Sequence, residues 1–206
     1  IILHFTIPAF VSSLFVIPVN WINNIILTRN AGFGELAIFS VALQWLTMIT
    51  YIPTQLGKVK PIYTDLYAQK NYLELKKIFK NITLSSTILI TPIILAGIIF
   101  SKYILSIYGA DYKGGYLTFI LMMIASLLIT MQSQIGALLQ AIGKMWSGFI
   151  LNLIWSIIIV TVFYYFKYLG STGYAIAYCI SYGIHTILSY GVIWYLWNQR
   201  RSSKEK

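Results

Sequence analysis

The chain has 206 residues, 58% of them hydrophobic and only 10% charged, and its 15 Lys and Arg outnumber its 5 Asp and Glu to leave a net charge of +10. A mean hydropathy of +0.76, with far fewer charges than the roughly 25% of soluble domains, excludes a water-soluble globular fold. The single cysteine, Cys179, excludes an internal disulfide and a cysteine-based metal cage, and reads as an inert thiol in a span.

Six apolar stretches, 5–27, 36–56, 81–100, 116–141, 147–166 and 173–197, fill the chain. Each is near or above the ~20 residues that a helix needs to cross hydrocarbon. The sequence thus predicts an all-α membrane protein: six transmembrane helices forming one lobe over 1–199, with a basic tail at 200–206. Short connectors make neighbouring spans antiparallel partners. The opening IILHFTIP has neither a starting Met nor the basic region and cleavage site of a signal peptide. It reads as the start of a fragment, the later half of a larger protein.

In the first span, interrupted by Pro8 and Pro18, residues Thr6, Ser13, Asn20, Asn24 and Thr28 fall within an arc of about 80°, with Asn23 to one side. Arg29 follows at its outer end, either as a snorkelling anchor or as a cation for an anionic substrate. Gln44 sits deep in the second span. The connector after it carries Lys58 and Lys60. There Asn71, with Glu74 three residues on, marks a helix start leading through LKKIFK into the third span. Pro92 kinks that span. On the fourth, Gln132, Ser133, Gly136 and Gln140 share a face. On the sixth, Tyr174, Tyr178, Ser181, Tyr182, His185 and Ser189 fall within an arc of about 100°. Trp21, Trp194 and Trp197 sit near span ends, where aromatic belts form.

Polar groups in hydrocarbon cost several kcal/mol each unless they find partners, so aligned stripes face the bundle interior or water. Two readings follow: helix–helix glue, or the wall of a hydrophilic cavity. His185, ionisable at membrane depth, is open to both.

Lys58, Lys60, Lys70, Lys76, Lys77, Lys80, Lys144, Arg200, Arg201, Lys204 and Lys206 fall on one side of a six-span topology, and only Arg29, Lys102, Lys113 and Lys167 on the other. Eleven against four puts the 57–80 connector and the C-terminus in the cytoplasm. The basic excess therefore orients the chain and predicts no nucleic-acid partner. The five acids, Glu35, Asp65, Glu74, Asp111 and Glu205, lie in connectors, at a span edge or in the tail. With no carboxylate at depth and no metalloprotease, hydrolase or P-loop pattern, the sequence predicts no enzyme, no cofactor and no metal.

The runs IPAFVSSLFVIPVNWINNIILTRNAGFGELAIFSVALQW, KPIYTDLYAQKNYLELKKIFK, IYGADYKGG, LLQAIGKM and YLGSTGYAIAYCIS, with the Ile-Pro pair of Tyr51-Ile52-Pro53 between the first two, resemble the C-terminal half of polysaccharide-export flippases. These are the O-antigen and lipid-linked oligosaccharide translocases of the multidrug/oligosaccharidyl-lipid/polysaccharide superfamily. The resemblance covers nearly all of residues 3–197 and rests on the order and spacing of the motifs. It implies one lobe of a two-lobe transporter like the multidrug and toxin extrusion proteins, in a bacterial cytoplasmic (inner) membrane. The implied partners are a polyprenyl-pyrophosphate-linked sugar repeat, membrane lipid and an N-terminal lobe. The chain departs from the cationic cavities of that family, having no Lys or Arg at membrane depth.

On this reading Thr6, Ser13, Asn20, Asn23, Asn24, Gln44, Gln132 and His185 line the substrate cavity. Arg29, Lys58 and Lys60 supply cations at its mouths. The alternatives are a multidrug or cation antiporter of the same superfamily, which would want a buried acid, a membrane-embedded polymerase or ligase of glycan assembly, which would want large outer loops, and a structural subunit.

Overall fold

Apolar sequence in hydrocarbon must satisfy its backbone polar groups internally, and the helix does so within one segment. The computed structural model describes the backbone of residues 7–56 and 59–202, and the side chains of 17–53 and 59–198. It is helical nearly throughout, with no strand among the described residues. The helices are α1 (Ile7–Leu56), α2 (Lys60–Ala68), α3 (Tyr72–Ile99), α4 (Ser101–Tyr108), α5 (Tyr116–Ala141), α6 (Met145–Phe166) and α7 (Gly170–Ser202). Turns of 3₁₀ helix at Ala110–Gly115 and Lys167–Leu169 lead into α5 and α7.

Four continuous helical stretches among the described residues, Ile17–Pro53, Tyr72–Ile99, Ala110–Ala141 and Met145–Asn198, are long and apolar enough to cross a bilayer. Two of them double back. Within α1, Gly32 has φ 88° and ψ 174°, a conformation open essentially only to glycine. In a straight helix Asn20 and Phe39 would stand about 28 Å apart at 1.5 Å per residue. Yet the Tyr174 hydroxyl donates to Asn20 Oδ1 at 3.4 Å, while the Tyr174 ring stacks on Phe39 at 4.0 Å. The arms 7–31 and 33–56 therefore run antiparallel. In the Met145–Asn198 stretch, Phe163 stacks on Tyr174 at 4.6 Å and Trp155 meets Tyr182 at 5.2 Å, equal steps in opposite directions from the turn. Counting both reversals, the described residues make six long helical passes, which overlap the six apolar stretches.

Two short helices were not foreseen. The basic connector contains α2, which opens with Pro61 in its first turn and buries Tyr63; α4 follows α3 directly. The expected cap of α3 is present, with the Glu74 amide donating to Asn71 Oδ1 at 3.3 Å.

Most of the other helices, α1, α2, α3, α6 and α7 among them, pack on α5. One apolar cluster joins Leu27, Phe39, Phe119, Met122, Trp155, Phe163 and Tyr174 around it; a second joins Tyr63, Leu75, Phe79, Leu138, Leu151 and Ile193 at the α2 end. Large apolar side chains such as Phe33, Ile88, Ile99, Ile157, Tyr165 and Ile187 point outward, more than a monomer in water would leave uncovered.

At the Gly32 end the polar groups where α7 begins are paired. The Ser171 amide donates to Glu35 Oε2 at 2.7 Å, so a carboxylate lies at the N-terminus of α7, where the helix dipole favours negative charge. The Thr118 hydroxyl shares hydrogen bonds with Ser171 and Thr172 at 2.9 and 3.0 Å, tying α5 to α7.

Candidate functional site

Three helices leave a gap on the α2 side of mid-depth. Gln132, Gly136 and Gln140 of α5, Gly148 and Asn152 of α6, and His185 and Ser189 of α7 line a pocket of about 150 Å³, with Ile135, Leu139, Met145 and Leu151 completing its walls. Helical spacing puts these side chains on one wall per helix: 132, 136 and 140 recur every fourth residue, as do 148 and 152, and 185 and 189. Glycines at 136 and 148 keep that gap open.

Several of the pocket's polar atoms are unpaired among the described residues. Gln132 Oε1, both ring nitrogens of His185 and the Ser189 hydroxyl are buried and have no hydrogen-bond partner among the described residues. An unsatisfied buried donor or acceptor costs about 1–3 kcal/mol, and the three residues that carry these atoms all line one cavity. At the rim Lys60 donates from Nζ to Gln140 Oε1 at 2.9 Å, which sets one cation over an otherwise uncharged wall. No carboxylate lines the pocket, and the described residues hold no group of three His, Cys, Asp or Glu that could bind a metal ion. Amides, a hydroxyl and an imidazole offer donors and acceptors together, a set that fits a neutral, hydroxyl-rich ligand and gives a buried cation no counter-charge.

The sequence-predicted residues divide. Gln132 and His185 meet in this pocket and Lys60 reaches its rim through Gln140. The first-span stripe splits in two. Asn20 accepts from the Tyr174 and Tyr178 hydroxyls at 3.4 and 3.3 Å, an interhelical bond of the glue kind. Asn23 is fully buried beside Tyr174, and neither of its amide atoms completes a hydrogen bond. Asn24, with Thr28 and Arg29, instead lines a groove of about 540 Å³ together with Trp21, Phe33 and Leu36 at the Gly32 end. Gln44 is exposed on the outer face of the second arm. On the same arm, Thr47, Thr50 and Tyr51 form a recess of about 220 Å³ with Thr130 and Ser133 of α5. The polar face of α5 thus stands between two hollows. Thr6, the Ser13 side chain and Lys58 lie outside the described residues.

Asn152 was missed as a site residue, although an amide inside the most apolar span was a signal of its own. Gln140 and Ser189 were seen on polar stripes and not chosen. The role of Glu35 was invisible, because its partner, the Ser171 amide, lies 136 residues away.

The fold and pocket define an all-helical protein built to cross a membrane several times, with a neutral polar pocket among its spans. The chain is similar to the EPS I polysaccharide export inner membrane protein EpsE of Ralstonia solanacearum, 28% identical over 185 residues that cover 84% of this chain and 42% of that protein. The protein of the same name from Ralstonia nicotianae is 27% identical over the same shares. The chain thus spans about two fifths of the length of the curated relatives it matches. No family model matches the chain, and no solved structure does so significantly. The similarity supports a polysaccharide-export membrane protein, at low identity.

Proposed function

We propose that the protein is part of a transporter that flips polyprenyl-pyrophosphate-linked oligosaccharide repeat units across the bacterial cytoplasmic membrane for surface polysaccharide synthesis. The observation that carries this reading is the convergence of unpaired buried groups, Gln132 Oε1, the His185 nitrogens and Ser189 Oγ, on one uncharged pocket. Sugar hydroxyls would complete their hydrogen bonds. Lys60 at the rim would hold the pyrophosphate while the sugars enter. The printed names of the two relatives support the same class of cargo, and their greater length leaves room for a second lobe. The substrate would be moved by rocking one lobe against the other. It would undergo no covalent change, so this reading includes no enzyme activity.

In this reading the α2 end and the C-terminus are cytoplasmic, on the eleven-to-four distribution of basic residues. Cysteines at Gln69 and Ser203, in a background lacking Cys179, would be shielded from an impermeant thiol reagent in intact cells, while cysteines at Ala110 and Tyr168, both exposed at the Gly32 end, would react. Labelling at Gln69 from outside reverses the topology.

The transport reading is tested with Gln132→Leu combined with His185→Leu. The expected outcome is normal membrane abundance, loss of surface polysaccharide, and lipid-linked repeat units accumulating on the cytoplasmic side. Wild-type export by this variant would remove the pocket from the translocation path.

A further inference from the structure

A second groove lies on the other side of α5. There α3 and α7 both pack on α5 and leave between them a channel of about 540 Å³, floored by Met131 and walled by Phe79, Leu84, Ile193 and Trp194. Two lysines stand at its α2 end. Lys76 and Lys80, four residues apart and therefore on one face of α3, line the groove, and Lys76 Nζ lies 5.2 Å from the Trp197 ring centroid.

Below the lysines the hydroxyls of the lining are all spent within the protein. The Thr83 and Thr87 hydroxyls are spent on the carbonyls of Phe79 and Thr83 at 2.8 Å each, and the Tyr190 hydroxyl donates to the Met131 carbonyl at 3.3 Å. The pocket differs: there Gln132, His185 and Ser189 carry unpaired polar atoms, here the threonine and tyrosine hydroxyls have partners. From Lys76 to Thr87 the groove follows α3 for about 16 Å, the depth of one leaflet of a hydrocarbon core ~30 Å thick. A path for a translocated molecule would have to cross both leaflets. This groove ends midway.

We propose that the α3–α7 groove is a binding site for an anionic phospholipid of the leaflet at the α2 end, with its phosphate on Lys76 and Lys80 and one acyl chain against Leu84, Met131, Ile193 and Trp194. The charge at one end and the apolar, one-leaflet depth below it match a phospholipid's outline, and the site is independent of the transport reading. Headgroup-level lysines raise the local preference for anionic lipid, and the groove turns that preference into a defined site.

Trp194 and Trp197 report on occupancy. The full-length protein is placed in phosphatidylcholine nanodiscs containing either phosphatidylglycerol or phosphatidylcholine with brominated acyl chains, at equal mole fraction, and tryptophan quenching is compared. Brominated phosphatidylglycerol is expected to quench at a concentration on the order of tenfold lower. That preference should vanish in Lys76→Gln/Lys80→Gln and persist in Lys102→Gln/Lys167→Gln, which removes as much charge at the opposite end. The excess quenching should disappear in Trp194→Phe/Trp197→Phe. Thr87→Phe, which fills the apolar end and keeps both lysines, should weaken quenching too, and so tests the site if the lysine variant does not fold. Equal quenching by the two lipids overturns the proposal. So does a preference that survives the Lys76/Lys80 change, one lost equally with Lys102/Lys167, or one still present without the two tryptophans.

Discussion

The start and the middle of α7 handle polar groups in opposite ways. At its start, Glu35, Thr118, Ser171 and Thr172 satisfy one another, and one turn further on Tyr174 and Tyr178 both reach Asn20. Farther along the same helix, His185 and Ser189 are equally buried and have no partner among the described residues. A polar side chain at membrane depth is therefore not one kind of signal. Paired with a neighbouring helix it is structural glue; unpaired beside a cavity it is poised for a ligand. The same substitution, polar to apolar, should then have opposite consequences at the two places.

The largest expected effect is at the paired end. Gly170 has φ 59° and ψ −137°, and a Cβ there would stand 2.6 Å from Glu35 Oε2. Gly170→Ala combines backbone strain of about 1–3 kcal/mol with displacement of the carboxylate from the start of α7. We expect a loss of roughly 3 kcal/mol or more, read as a lowered thermal midpoint in detergent. An unchanged midpoint would mean that the Glu35 contact does not hold the α6–α7 turn. Next is Glu35→Ala, which takes an ionised acceptor from a helix N-terminus and should cost roughly 2 kcal/mol. Glu35→Gln, keeping an acceptor without the charge, should cost less. Equal losses from the two would assign the effect to packing alone.

In the pocket the order of stability and activity reverses. His185→Leu and Ser189→Ala remove buried groups that have no partner to lose, so each should change stability by less than about 1 kcal/mol. Export should nevertheless fall roughly 30- to 160-fold in the double variant, because two or three hydrogen bonds to the cargo are gone at about 1 kcal/mol each. His185→Gln should keep more export than His185→Leu at matched protein levels. A double variant that unfolds and exports in proportion to its abundance would move His185 and Ser189 into the glue class and erase the contrast.

How much of this was legible beforehand depends on the range of the interaction. Hydropathy showed an all-helical chain with apolar stretches long enough to cross a bilayer, and the Asn71 cap was readable because its partner Glu74 is three residues away. Gly32 was visible only as a connector, since nothing local shows that one glycine would carry an entire reversal. On the stripes, a helical wheel showed which side chains share a face. What the face meets was not encoded there: Asn20 and Asn24 lie on one stripe, yet Asn20 packs against α7 and Asn24 opens into a groove. The pocket needed α5, α6 and α7 together, so its α6 member, Asn152, carried no weight when spans were read singly. Lys60 was placed at a mouth from its position in the chain, and its bond to Gln140 depends on the packing of α2 beside α5, a helix not foreseen.

Tyr63 supplies the smallest effect and the sharpest limit on the comparison. It is fully buried in α2, its hydroxyl has no partner among the described residues, and it lines none of the hollows described above. If being unpaired were enough to mark function, Tyr63→Phe would impair export. If a cavity is required as well, it should leave export unchanged and stability equal or slightly higher. Alkaline titration separates the two variants further. Burial pushes the Tyr63 phenol from 10.0 up to about 12, so between those values the folded chain holds a proton that the unfolded chain has released. Stability is then undiminished below pH 10 and falls as pH rises toward 12. The wild type should therefore lose stability more steeply than Tyr63→Phe over that window and in parallel with it below. Parallel curves throughout would mean that Tyr63 is hydrated, and its unpaired hydroxyl would no longer serve as the control for the pocket.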